Sequence, residues 1–399
     1  MNRFIFIIFF IVITSALISC SAFKAAKIIN SGDVNFTGHM EKSVPFSLDG
    51  HPIIIKTKLN NSSKNYNFIL DTGALTLIKQ EVADELELPI DLEITAKGSQ
   101  GKTKNIQLVK LDTINLGGII VRNCSSGVIQ NDSLFPKNIA GILGSNFLRF
   151  FTVTIDFKEH EIILTKNSLD KQKSIPVTLE MKHGFAPFLQ CIIDDKTKIK
   201  AMIDTGTPVT SLNLPLLKNT KEFIQGKVIK ATGSTSAGIG GRAAENYVLR
   251  LKKIKIGNNI IKNLPVFSHS DNSVQMLIGN DVLTKYKVII DYPYKAINLI
   301  PNGKKFDINP TSFGVAFEKK NGKTFVAGLW ENSSIKQSGI QVGDEVLKIN
   351  SIDTSQLSSL DLIAISMKNE SSIMTMELKS KEKTRFLTLR KEEYLSKIK

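Results

Sequence analysis

The sequence predicts a mainly β protein in which one β unit is used twice and a separate module follows at the C-terminus. Three observations predict it. The triplets Asp71-Thr72-Gly73 and Asp204-Thr205-Gly206 stand 133 positions apart in matching surroundings. Short alternating apolar segments parted by Gly, Asn and Asp fill both copies, the pattern of antiparallel strands and tight turns. Finally, Pro301-Asn302-Gly303-Lys304-Lys305 reads as a connector, and Pro310 precedes a new pattern.

Taken in order, the first 20 residues differ in kind from the rest. Arg3 gives a short basic start, and the apolar run from Phe4 to Ile18 is short for a membrane-spanning helix but suits a signal-peptide core. It ends in Leu17-Ile18-Ser19-Cys20, which resembles the bacterial lipobox and would leave Cys20 as a lipid-bearing N-terminus. A secretory signal cut nearby and an uncleaved anchor are the alternatives. All three send the body of the chain out of the cytoplasm.

The first copy, 38–168, opens near Val44-Pro45-Phe46-Ser47-Leu48 and reaches its triplet through Asn67-Phe68-Ile69-Leu70. A helix is expected over 79–88, with Val82, Leu86 and Leu88 as its face and Pro89 as its stop. The second copy, 172–302, opens at Ile175-Pro176-Val177-Thr178-Leu179 and reaches its triplet through Lys200-Ala201-Met202-Ile203. About 70 residues after each triplet comes an apolar-apolar-Gly segment, Ile142-Leu143-Gly144 and Leu277-Ile278-Gly279. A longer apolar strand closes each copy, over 151–157 and 287–292. A single Asp-Thr-Gly is an ordinary turn; two with the same flanks in the same order are a pair.

Composition bounds the chemistry. With 399 residues and 42% apolar content the chain can form two or three globular domains. Five scattered histidines, no H-E-x-x-H and no C-x-x-C give no metal spacing, and no cofactor is expected. If Cys20 carries lipid, Cys124 and Cys191 remain, both in strand-like stretches. A disulfide is allowed outside the cytoplasm, but buried free thiols are the commoner state there. The net charge of +15 is uneven: residues 21–170 hold 16 basic and 16 acidic side chains, whereas 171–310 hold 21 and 10. Such a lobe can attract acidic substrates or an anionic membrane, or simply stay soluble through its lysines. No aromatic-interleaved basic stripe points to nucleic acid.

Two facing carboxylates have a definite chemistry. They cannot both ionise cheaply, so they share one proton. The ionised member can take a proton from water while the protonated one polarises a carbonyl. Water adds directly, and no Ser or Cys nucleophile is needed. Gly73 and Gly206 let the backbone turn tightly behind the acids.

Residues 38–302 resemble aspartic proteases of the retropepsin and pepsin type. They are most similar to bacterial proteins with two retropepsin-like lobes fused in one chain and a PDZ domain attached. The resemblance implies the acid-protease fold: two β-barrel lobes with a cleft between them and Asp71 facing Asp204 across it. Because both lobes lie in one chain, it implies a monomer acting on polypeptide substrates. Thr72 and Thr205 would hydrogen-bond across the pseudo-twofold axis. Ala74 and Thr207, next to the triplets, differ. The Thr207 hydroxyl is expected to donate to Asp204 and favour its charged form, making Asp204 the base. The Gly-rich stretches containing Gly98 and Gly101, and Gly238, Gly240 and Gly241, are candidate flaps over a substrate. The first copy shows no pepsin-type flap tyrosine.

The final segment contains Ser338-Gly339-Ile340-Gln341-Val342-Gly343-Asp344 and a following apolar strand that ends in Asn350. It resembles a bacterial PDZ domain over 311–392. The resemblance implies capture of peptide C-termini by strand addition, with a backbone carboxylate nest at Phe313, Gly314 and Val315. Together these features imply an aspartic endopeptidase anchored by lipid in the cell envelope and facing the periplasm or exterior. The rival reading is a catalytically inactive peptide-binding lipoprotein that uses only the PDZ groove.

Overall fold

The computed structural model describes residues 23 to 395, apart from 36–40, 49–50, 99, 131–134, 167–176, 183, 239–240, 244, 307–310, 368–371, 381–382 and 394. The expected signal segment, Cys20 and Gly240 lie outside the described residues.

The first lobe is built on β1 (Glu41–Pro45), β2 (Ile53–Leu59), β3 (Tyr66–Asp71), β4 (Leu77–Lys79), β5 (Ile90–Lys97), β6 (Thr103–Leu116), β7 (Ile119–Ile129), β8 (Ile139–Gly144), β9 (Thr152–Asp156) and β10 (Glu161–Thr165). In β2 the period-two pattern is plain: Ile53, Ile55, Thr57 and Leu59 point into the core while Lys56 and Lys58 face out. Six of these strands close on themselves in the order β7-β4-β8-β3-β2-β6, with β6 pairing back to β7. Helix α1 covers Gln80–Glu85, shorter than the sequence suggests. Lys79 still belongs to β4, and Glu87 adopts φ +51°, so the helix ends at a left-handed residue before Pro89 can act. Val82 and Ala83 are buried; Leu86 and Leu88 only lean on the core.

The second lobe repeats this plan. Its strands are β11 (Ala186–Ile193), β12 (Thr197–Ile203), β13 (Ser211–Asn213), β14 (Val228–Gly233), β15 (Tyr247–Ile256), β16 (Asn259–His269), β17 (Met276–Ile278), β18 (Tyr286–Asp291) and β19 (Ala296–Pro301). The closed order is β16-β13-β17-β12-β11-β15, strand for strand the counterpart of the first lobe. The two closing strands then join the lobes: β9 pairs β18 antiparallel, Thr154 opposite Ile289, within a six-stranded sheet. One apolar core runs through both lobes and includes Phe147, Phe151 and Phe157, none more than 1% exposed. Each such side chain contributes roughly 1.5–3 kcal/mol by burial. Cys124 and Cys191 are buried free thiols pushed up to about 12 by burial.

The C-terminal module has β20 (Val315–Lys320), β21 (Lys323–Trp330), β22 (Glu345–Ile349), β23 (Ile373–Ser380), β24 (Lys383–Arg390) and the helix α2 (Ser359–Met367), which packs against β20. Phe313, Val326, Ile349, Leu362 and Met376 form its own core. It is not free of the lobes. Strand β14 leaves β15 and continues along β21, with Ala231 opposite Trp330 and Gly233 opposite Gly328.

Candidate active site

Each triplet sits where a strand runs out beside a parallel neighbour. Strand β8 lies along β3 with Gly144 opposite Asp71, and β17 lies along β12 with Ile278 opposite Ile203. The apolar-apolar-Gly segments therefore back the triplets. A Cβ on Gly144 would fall 2.3 Å from the Leu75 backbone, and one on Gly279 would fall 2.6 Å from that of Val209. Only a bare α-carbon lets the loops cross there.

The structure brings the two triplets into contact. The Thr72 hydroxyl donates to the Ile203 carbonyl (2.7 Å) and accepts from the Thr205 N–H (3.1 Å); the Thr205 hydroxyl donates to the Leu70 carbonyl (2.9 Å) and accepts from the Thr72 N–H (3.1 Å). Both threonines are fully buried. Cutting any of these four bonds strands a buried polar group at a cost of about 1–3 kcal/mol. The Gly73 and Gly206 N–H groups donate to Asp71 Oδ1 and Asp204 Oδ1, each at 2.8 Å. A Cβ on Gly206 would lie 2.2 Å from Asp71 Oδ2, and one on Gly73 would lie 2.9 Å from Asp204 Cγ. Each glycine is thus the seat of the opposite acid.

The two carboxyls hydrogen-bond one another. Burial pushes both above the usual carboxylate range, and the charge of Asp71 pushes Asp204 further, so one proton stays on the pair. The backbone N–H groups of Gly73, Ala74, Gly206 and Thr207 oppose this by favouring the charged forms. The expected bond from the Thr207 hydroxyl to Asp204 is not formed. That hydroxyl donates to the Val209 carbonyl at 3.2 Å, a local i to i+2 bond set up where Pro208 lengthens this loop by one residue over its counterpart. The side chain of Thr207 therefore gives no reason to make Asp204 the base.

Sequence reasoning missed the layer beneath the triplets. Asn146 Oδ1 accepts from the Thr76 N–H (2.8 Å), and in the second lobe Asp281 accepts from the Thr210 N–H (2.9 Å) and hydroxyl (2.7 Å). Burial raises Asp281 to about 6. Ser145 Oγ lies 2.9 Å from the Ala74 carbonyl and 2.7 Å from that of Gly184. At the matching position Asn280 donates to the Thr205 carbonyl (2.9 Å) and to His51 Nδ1 (3.2 Å). His51, from the first lobe, donates in turn to the Gly206 backbone, and burial lowers it to about 4, so it is neutral. The sequence signal was present: Gly144-Ser145-Asn146 and Gly279-Asn280-Asp281 follow the repeated apolar pair.

The first candidate flap is the β5–β6 hairpin. The Gly98 N–H donates to the Lys102 carbonyl (2.9 Å), and the Gly101 N–H to that of Gly98 (2.9 Å). The tip spans to the second lobe: a Cβ on Gly101 would lie 3.1 Å from the Ser270 carbonyl, and Lys97 Nζ sits 2.7 Å from Asp271 Oδ1. Burial alone would raise Asp271, but Lys97 and the Ser273 donors hold it below the usual carboxylate range. In the second stretch Gly238 pairs Gly241 and Ala237 pairs Arg242, antiparallel. The neighbouring Arg242 donates to the Phe317 carbonyl (3.1 Å), so this stretch engages the C-terminal module. There, Phe313 and Val315 are buried, and Gly314 has φ +77°. Its N–H donates to Ser312 Oγ (3.0 Å), which occupies one donor of the nest. Among the described residues no cluster of His, Cys, Asp and Glu could hold a metal.

Comparison with known proteins agrees with this geometry. Residues 55–147 match the family model for aspartyl proteases, and residues 189–285 match that for gag-polyprotein putative aspartyl proteases. Residues 305–379 match the PDZ domain. No curated protein matches the chain. Among solved structures, the aspartic proteinase from Irpex lacteus aligns at 15% identity and TM-score 0.44, covering 66% of this chain and 98% of that one. The family models show two aspartyl protease domains, one per lobe, and a PDZ domain. The class they define is that of protease, a peptide hydrolase.

Proposed function

We propose that the protein is an aspartic endopeptidase that works outside the cytoplasm on extended polypeptides, held to a membrane by lipid on Cys20. The observation that carries the catalytic reading is the mutual hydrogen bond of Asp71 and Asp204 over the doubly bonded Thr72–Thr205 pair. The ionised acid takes a proton from a water lying between the two carboxyls. The oxygen adds to the peptide carbonyl, which the protonated acid polarises. The tetrahedral adduct then collapses, and the leaving amine takes a proton from the pair. Four cross-lobe hydrogen bonds fix the acids before substrate arrives, so little reorganisation is left for the reaction. Both acids come from one chain, which supports a monomer as the active unit. The PDZ domain supplies a groove between β20 and α2 for the C-terminus of a substrate or partner peptide. A purely binding role gives no reason for two intact, mutually bonded acids.

Cleavage of casein and a peptide library between pH 3 and 8 tests the reading. Asp71→Asn and Asp204→Asn are each expected to abolish turnover, lowering kcat by at least about 1,000-fold. Cleavage persisting in both variants would falsify the dyad mechanism.

A further inference from the structure

The face of the second lobe that runs outward from Asp204 carries lysines on the strand that bears the aspartate itself. In β12 the residues Ile199, Ala201 and Ile203 enter the core, so Met202, Lys200 and Lys198 share the opposite face. Strand β11 sets Phe188 opposite Met202 and Gln190 opposite Lys200. This face looks into the cleft: Met202 Cε lies 3.0 Å from the Cβ position of Gly73, in the other lobe's triplet. Moving out from the dyad, an apolar rung of Met202 and Phe188 is followed by Lys200 with Gln190, and then by Lys198. Successive rungs lie about 7 Å apart, two residues of strand. A cavity of about 460 Å³ opens here, lined by Phe188, Gln190, Lys198, Lys200 and Gln275, with Lys182 joining from the strand Glu180–Lys182. Glu180 pairs with Lys200 (2.5 Å) and Lys182 (3.0 Å), two of the three lysines that line the cavity. At the corresponding places before Asp71 stand Asn67 and Asn65, and the lysines of that face, Lys56 and Lys58, lie on the neighbouring strand instead.

We infer that this cavity is a substrate subsite for an acidic side chain, so that the enzyme prefers Asp or Glu two residues outward from the residue seated on Met202. The inference rests on the endopeptidase reading and gives it a substrate class. A peptide carboxylate entering the cavity meets Lys198 and competes with Glu180 for Lys200 and Lys182. The apolar floor of Phe188 and Met202 receives the neighbouring side chain and fixes the register. The excess of 21 basic over 10 acidic residues in 171–310 adds a field that steers such peptides toward this lobe.

The test walks Asp through the four positions on each side of the scissile bond in a fluorogenic peptide. It uses the full chain, the Lys198→Glu/Lys200→Glu variant and the Glu180→Gln variant. In parallel, anisotropy measures binding of the same peptides to the Asp204→Asn protein. At one position Asp is expected to raise kcat/KM about tenfold over Ala, with the gain shrinking in high salt. Lys is expected to replace Asp as the favoured residue there in the double variant, and Glu180→Gln to enlarge the Asp preference. Cleavage with no acidic preference, or a preference that survives the charge reversal, overturns the subsite and leaves the endopeptidase standing. Acidic peptides that bind Asp204→Asn through the lysines while the wild type cleaves none would uphold the subsite and remove the endopeptidase.

Discussion

Corresponding hairpins in the two lobes end against different things. The β5–β6 tip crosses to the other lobe and is held there by the Lys97–Asp271 ion pair and the close seat of Gly101. Strand β14, its counterpart, is built into the sheet of the PDZ domain through Ala231, Thr232 and Gly233. The Ser234 N–H donates onward to the Ala327 carbonyl (2.8 Å) and the Glu331 N–H back to that of Lys230 (3.0 Å). Trp330 and Leu395 from the PDZ end join Ile229, Ala231 and Val248 of the lobe in one apolar cluster. One hairpin is thus fastened by a partly exposed pair worth at most about 1 kcal/mol. The other is fastened by a ladder whose bonds contribute roughly 0.5–1.5 kcal/mol each, plus burial. The same unit, used twice, yields one hairpin whose tip is clipped to the other lobe and one whose strand is built into the sheet of the PDZ domain.

The largest effect comes from breaking the ladder. Removal of 305–399 leaves the outer half of β14, Ala231 to Gly233, without its partner, and it uncovers the first-lobe cluster of Ile69, Leu77 and Ile106 against which Leu360 of α2 packs. A cleft wall displaced by about 1 Å costs on the order of 100-fold in rate, and kcat/KM is expected to fall by that much. Gly328→Val is the finer break. Its Cβ would lie 2.6 Å from the Ser234 backbone, so β14 must move although the PDZ core is untouched. Cleavage by this variant at the wild-type rate would show that the ladder does not set the cleft.

The sequence carried the repeat, the pairing of the two triplets and the β-rich plan because these follow from local pattern: apolar alternation, Asp-Thr-Gly, and the apolar-apolar-Gly segment that follows each. It did not carry β14's change of partner, since Val228 to Gly233 alternates as any strand does and nothing in it says which edge it will pair. Nor did it carry His51. A histidine after a turn in one lobe supports Gly206 in the other only once the lobes have met. The Thr207 hydroxyl went astray for a local reason, the extra residue at Pro208.

A second comparison has a smaller effect. Asn146 and Asp281 fill matching places under Thr76 and Thr210, but only Asp281 titrates. Its folded value of about 6 lies above the unfolded value of about 3.9. The folded state therefore binds more protons between these values, and stability falls as pH rises through that window. The loss amounts to about 3 kcal/mol by neutral pH from this group. Asp281→Asn, which copies the first lobe, is expected to flatten the stability curve between about pH 4 and 6, as read by denaturant midpoints at each pH. An unchanged slope would assign the titration to the Asp71–Asp204 pair instead.

The smallest effect isolates the ion pair. Lys97→Ala frees the first hairpin without touching the ladder, so KM is expected to rise by up to about fivefold while kcat holds. Hydrogen exchange at 97–102 is expected to quicken in the same variant. The pH dependence runs opposite to that of Asp281. Asp271 is held below its unfolded value, so the pair is fully formed above about pH 4 and is lost as pH falls through the lower folded value. Wild type and Lys97→Ala therefore converge at the acid end and separate toward neutrality, and added salt narrows the gap. Asp271→Asn in either background gives the double-mutant cycle. Coupling near zero at neutral pH and low salt would mean that the seat of Gly101 on Ser270 alone holds the tip, and the contrast between a releasable hairpin and a sewn one would then rest on packing rather than charge.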